Sequence, residues 1–163
     1  MQSIFKTQLV IASVVVFGMF FYLKDRYYIA FDQQDKPCLF TTVFLVDTWA
    51  TAEDFNQGDL MAYDYHMENT LLPKGLTLVK RVAATPESNL VFNGEYVISN
   101  EKTFRADIRT ELERLEVDMP EKVHFKTGEG EFFLIGETLY SYDSRYWGSA
   151  KASNIVGKAY AIL

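Results

Sequence analysis

The chain has 163 residues, enough for one domain with a real hydrophobic core. Its 13 Phe and 10 Tyr favour a β-rich core, and a net charge of −6 without a basic stripe speaks against nucleic-acid binding. The one cysteine, Cys38, excludes an internal disulfide and a cysteine-rich zinc site. His66 and His124 sit in no metal-ligand spacing and read as ordinary strand or loop residues, so no cofactor is implied.

Residues 9–23 read LVIASVVVFGMFFYL, and no charge falls between Thr7 and Leu23. A spanning helix needs ~17–25 residues. Thr7, Gln8 and a snorkelling Lys24 extend the run toward that length, placing Tyr27 and Tyr28 at the interface. A cleaved signal peptide has a similar apolar core, but residues 20–23 are bulky where a small-x-small site belongs. A buried core helix would not be apolar on every face. A membrane anchor over residues 1–26 is therefore preferred, followed by one domain over 27–163. Lys6 and the amino terminus oppose Lys24 and Arg26, so charge leaves the orientation open.

Residues 29–36 form a polar approach ended by Pro37. After Cys38, residues 39–46 (LFTTVFLV) are strongly β-prone. Residues 47–57 are a loop containing Trp49, and Gly58-Asp59 leads into a second strand, 60–65. A turn at 71–75 precedes LTLVKRV, 76–82, which carries Lys80 and Arg81. Adjacent strand residues point to opposite faces, so one of this pair meets the apolar side. An Arg cannot lose its charge and a Lys can, which makes Lys80 the buried one. The alternative is an edge strand with both cations in water.

Asn93-Gly94 between LVF and EYVIS predicts a hairpin. Phe104, Ile108, Leu112 and Leu115 recur at helical spacing, predicting a helical insert at about 101–118, closed before Pro120 and packed on the sheet. Short strands follow at 123–126 and 131–135, and the chain ends in an apolar strand from Ile155.

Between those last strands lies GETLYSYDSRYWG, residues 136–148. A connecting loop needs turn formers, but not an Asp-x-Arg pair flanked by aromatics. Asp143 and Arg145 are spaced to brace the loop through a charge-assisted bond. SYDSRYWG followed by NIVGKA closely resembles the last signature box of type I signal peptidases, membrane-bound peptidases with a Ser-Lys dyad. That box begins Gly-Asp-Asn, where this chain has Gly136-Glu137-Thr138. The Lys80-Arg81 pair in a strand before a Pro turn and the Gly58-Asp59 dipeptide also match. The resemblance implies a mostly β fold: a signal-peptidase-like antiparallel sheet or barrel with a small helical insert and one N-terminal transmembrane helix. It further implies a short cytoplasmic N-terminus, with the domain in the periplasm.

By position and order, the residue matching the family's nucleophilic Ser is Cys38. The match is nearest to the conjugative-transfer, TraF-type branch, whose nucleophile lies in a pattern like T-x-S-L-P; here Cys38-Leu39 is followed by Phe40. Lys36 stands where the family often has a hydroxyl that helps the nucleophile's N–H hold the oxyanion. Lys80 corresponds to the general base, Ser141 to the Ser that aims the lysine amine, and Asp143 and Arg145 to the structural pair of that loop. The implied activity is endoproteolysis of a secreted precursor, a conjugative pilin in this branch, some members of which join pilin ends by transpeptidation.

A thiol is intrinsically more nucleophilic than a hydroxyl, and an uncharged amine within reach can take its proton. From the residues alone, Cys38 also reads as a small packed residue, and Thr41, Thr42 and Thr48 are rival nucleophiles. The departures at Lys36, Phe40, Glu137 and Thr138 motivate a second reading, a catalytically inactive peptidase-like scaffold in a conjugation or secretion apparatus.

Overall fold

The computed structural model describes residues 2–66, 75–108 and 122–162. Helix α1 (Gln2–Arg26) runs directly into β1 (Tyr27–Phe31), followed by β2 (Val43–Asp47), β3 (Leu60–Tyr65) and β4 (Leu76–Ala84). Then come β5 (Asn89–Phe92), β6 (Tyr96–Ser99), β7 (Lys102–Arg105), β8 (Val123–Lys126) and β9 (Glu131–Ile135). A one-turn helix α2 (Ser144–Trp147), β10 (Ala150–Lys151) and β11 (Ile155–Ala161) are the last elements among the described residues. Seven strands form one sheet in the order β1-β2-β11-β3-β4-β9-β10, and four form a second in the order β7-β6-β5-β8. Every pairing is antiparallel. The fold is mostly β, as expected.

Alternation along β9 joins the two sheets. Phe132 and Leu134 point to a core with Phe55, Met61, Tyr63 and Val82 on one face. Phe133 and Ile135 point to the other, against Leu90, Phe92 and Val97 of the small sheet. Successive strand side chains face opposite ways, so the apolar run 132–135 is buried on both sides. A third cluster, with Leu39, Phe44, Val46, Leu60 and Ala62, lies beneath the segment that carries Cys38.

Some expected elements shift. The polar approach contains β1, because Tyr27–Phe31 pairs with Val43–Asp47 across a hairpin. The strand expected over 39–46 begins only at Val43, since residues 32–42 form the connection that crosses from β1 to β2. The helical insert expected at about 101–118 is corrected at its start: Lys102–Arg105 is β7, which pairs with β6. Cross-strand pairing of Phe104 with Val97 outweighs the helical spacing there. The rest of that expected helix, from residue 109, lies outside the described residues, as does most of the turn at 71–75.

Side chains of α1 from residue 8 to residue 25 are exposed although most are apolar. The stretch Gln8–Arg26 is long and apolar enough to cross a membrane, and it fits a single-pass anchor. Its last turn is docked on the domain. Arg26 donates from Nε and Nη2 to the Asp47 carboxylate at 2.9 and 2.6 Å, and the Tyr22 ring meets Trp49 edge-on at 5.2 Å.

The Arg26 hydrogen bonds hold the Asp47 carboxyl below its ordinary value of 3.8, against the opposing effect of burial. A depressed folded-state value means the contact contributes fully above the ordinary carboxylate range and is lost as pH falls through the folded value. Acid titration of the detergent-solubilised protein is therefore expected to change Trp49 fluorescence only below that range. The change should be absent in Asp47→Asn and in Trp49→Phe.

Candidate active site

Two loops meet at the site. The first, between β1 and β2, carries Cys38; the second, between β9 and α2, carries Ser141 and Asp143 and leads into Arg145 in the first turn of α2. They are tied through the backbone. The Cys38 carbonyl accepts from the N–H groups of Glu137 at 2.8 Å and Thr138 at 3.3 Å. Glu137 Oε2 accepts from the Phe40 N–H at 3.0 Å, and the Thr138 hydroxyl donates to the Pro37 carbonyl at 2.8 Å. The residues that depart from Gly-Asp-Asn thus hold the Cys38 segment at Pro37, Cys38 and Phe40. Glu137 also pairs with Arg81, the strand neighbour of Lys80.

Gly136 is where the loops touch. A Cβ there would lie 2.0 Å from Ser141 Oγ and 2.7 Å from the Cys38 carbonyl oxygen. Any side chain would separate the two loops, so the close approach requires glycine.

The second loop is braced from within. Asp143 is fully buried, and its Oδ2 accepts from the Gly136 N–H, the Ser141 hydroxyl and Arg145 Nη2 at 2.7, 2.7 and 2.6 Å. Its Oδ1 accepts from Arg145 Nε at 2.7 Å, which makes the pair bidentate. Burial pulls the Arg145 guanidinium pKa down, and the hydrogen bonds and charge of Asp143 more than reverse this, leaving it raised. Asp143 also caps α2 by accepting from the Arg145 N–H. The helix ends at Gly148, whose φ of 84° is left-handed. Trp147 stacks on Tyr63 at 6.0 Å, which fixes α2 against β3.

Lys80 lies in β4 with 1 % exposure, whereas the Arg81 side chain is 31 % exposed, so the strand sorts the two cations as expected. Lys80 Nζ donates to Ser141 Oγ at 2.8 Å. The single Ser141 proton goes to Asp143, so that hydroxyl can only accept from the lysine. Among the described residues Lys80 forms no ion pair. The order lysine, hydroxyl, carboxylate fixes the direction of the amine without giving it a counter-charge.

Cys38 and Lys80 line one cavity of about 500 Å³. Its walls include Tyr28, Ala30 and Phe31 of β1 and residues 76–80 of β4. Among the described residues both strands present an unpaired edge to it: β1 pairs only with β2, and β4 pairs with β9 only from Arg81 onward. The Cys38 thiol is buried and lies 3.4 Å from Gln34 Oε1, to which it donates. A second groove, of about 770 Å³, lies beside the same loop and is lined by Lys36, Phe40, Phe104 and Tyr140 among others.

The rival hydroxyls do not share the Cys38 cavity. Thr48 donates to the Arg26 carbonyl at the end of α1, and Thr41 and Thr42 line neither groove. Sequence reasoning missed Gln34, and it read Glu137 and Thr138 only as departures from the family's box, without their contacts to the Cys38 loop. Their contacts run between segments about a hundred residues apart or depend on a loop conformation, and neither leaves a periodic signal.

The family model described as signal peptidase, peptidase S26, matches residues 1–163. Among solved structures, a signal peptidase I from Enterococcus faecalis V583 is similar at 18 % identity. That match covers 64 % of this chain and 95 % of the other, with a TM-score of 0.44. No curated protein matches the chain.

Proposed function

Because the chain belongs to the signal peptidase S26 family, we propose that it is a membrane-anchored endopeptidase in which Cys38 is the nucleophile and Lys80 the general base. The observation that carries this reading is the Lys80 amine. It is buried, bonded to a hydroxyl instead of a carboxylate, and set in the wall of the cavity that holds the chain's one thiol. A charged amine so placed lacks the pairing that buried charges ordinarily have.

Lys80 takes the Cys38 proton, and the sulfur adds to the scissile carbonyl carbon. Lys80 then returns the proton to the leaving amine, and water releases the acyl group from sulfur. Ser141 aims the amine, while Asp143 and Arg145 hold the loop and stay away from the scissile bond. The free edges of β1 and β4 offer backbone groups to an extended precursor segment lying in the cavity.

The substrate we propose is a secreted precursor cut after small residues, specifically a conjugative pilin, with the protein in the TraF-type branch. The domain would stand in the periplasm, tied to the inner membrane by α1. Docking of the last turn of α1 on β2 through Arg26 and Asp47 ties the anchor to the sheet whose β1–β2 connection carries Cys38.

Co-expression of the pilin precursor with wild-type, Cys38→Ala and Cys38→Ser proteins, followed by mass measurement, tests the reading. Wild type is expected to yield the mature mass, Cys38→Ala only the precursor, and Cys38→Ser some mature product. A product lighter by one further water identifies ring closure by transpeptidation. Full processing by Cys38→Ala would overturn the dyad, and an inactive scaffold would leave the precursor unprocessed by wild type.

A further inference from the structure

Acyl transfer needs donors for the oxygen that becomes negative, and a backbone N–H at the nucleophile is only one. Lys36, two residues before Cys38, does not supply another. Its ammonium sits 4.5 Å from the centre of the Tyr140 ring, and it lines the other groove. We propose that the side-chain amide of Gln34 is the second oxyanion donor. This rests on Cys38 being the nucleophile.

Three observations place Gln34 there. Its amide is already at the reacting atom, with Oε1 3.4 Å from Cys38 Sγ. It lines the cavity shared by Cys38 and Lys80. Its backbone is held by a local turn in which the Gln34 N–H donates to Asp32 Oδ1 at 3.0 Å, while the Asp32 N–H donates to the Thr42 carbonyl at 2.8 Å. The Cys38 carbonyl is fixed from the opposite side by Glu137 and Thr138. Thiol and amide are therefore held at the two ends of one short, braced segment.

The resting contact explains how the amide becomes a donor. In the free enzyme the Cys38 S–H donates to Oε1. Once Lys80 has taken that proton and sulfur has bonded to the scissile carbon, the carbonyl electron pair moves onto oxygen and no S–H remains. Oε1 would then face a negative oxygen. A half-turn of the terminal torsion exchanges Oε1 with Nε2, so that an N–H points at the oxyanion. Collapse restores the C=O, breaks the C–N bond and passes the Lys80 proton to the departing amine. The amide serves as acceptor before the addition and donor during it.

The test uses the full chain in detergent micelles. The probes are a fluorogenic peptide with Ala at the first and third positions before the scissile bond, and a matching peptide aldehyde labelled with ¹³C at the carbonyl. Gln34→Ala and Gln34→Glu, the latter isosteric but without a donor, are expected to lower kcat by about 100-fold with KM unchanged. Gln34→Asn should fall between these variants and wild type. Aldehyde affinity should fall with kcat, because the hemithioacetal oxygen occupies the oxyanion position.

Alkylation of Cys38 by iodoacetamide displaces iodide and forms no oxyanion, so in Gln34→Ala it should fall far less than kcat, by no more than the loss of the resting S–H contact brings. Wild-type kcat and aldehyde affinity in Gln34→Glu would overturn the proposal. So would an equal loss in alkylation and cleavage, which would mark Gln34 as merely structural. Failure of the underlying dyad looks different: Cys38→Ala then cleaves the peptide, or the wild-type protein gives no labelled hemithioacetal.

Discussion

Lys80→Met is expected to lower precursor cleavage by about 10²–10⁴-fold, the range set by loss of a positioned general base. Met fills much of the buried volume without a charge, so folding should survive. The Ser141–Asp143 bond does not depend on the lysine and should remain. Cleavage of the pilin precursor and Cys38 alkylation by iodoacetamide should decline together, because both need the thiol proton removed. Ser141→Ala should give a smaller loss of the same kind, since it leaves the amine in place but frees its direction. A Lys80→Met protein that cleaves at the wild-type rate would sink the assignment of the base.

Asp143→Ala is expected to destabilise the domain by about 3–5 kcal/mol, because it leaves the Arg145 guanidinium buried without its partner. The side chains are 0 % and 1 % exposed, so water cannot take over the lost bonds. Chemical denaturation in detergent measures the effect. The double variant Asp143→Leu with Arg145→Met should cost much less than the single one, because it removes both charges together. Activity should nonetheless be lost in the double variant as well. Ser141 then has no acceptor for its proton, and Gly136 no partner for its N–H. Stability recovered without activity would separate the pair's bracing of the fold from its bracing of Ser141.

The strands that carry the site were legible because their signals are local. Alternation in 76–82, together with the different chemistry of Lys and Arg, predicted which cation is buried, and the burial of Lys80 agrees. Asn93-Gly94 predicted the β5–β6 hairpin, and the register bears it out. The motif around Ser141, Asp143 and Arg145 was readable because Asp and Arg two apart can brace a loop and because SYDSRYWG resembles the last signature box of type I signal peptidases. The helical spacing failed at its start, where Phe104 pairs with Val97 in the strand Lys102–Arg105, and its positions from residue 109 lie outside the described residues.

By itself the sequence determined the membrane-type helix, the β-rich class, the burial of Lys80 and the identity of the braced loop. The first three follow from composition or side-chain periodicity within one segment, and the last from the Asp-x-Arg spacing together with the resemblance of SYDSRYWG to a family signature. Only the tertiary structure decided that Glu137 and Thr138 hold the Cys38 loop, that Gly136 must lack a side chain, and that Gln34 rather than Lys36 lies at the sulfur. These are contacts between loops or turns of a loop, set by how the sheet brings β1, β4 and β9 around one cavity, and no periodicity along the chain encodes them.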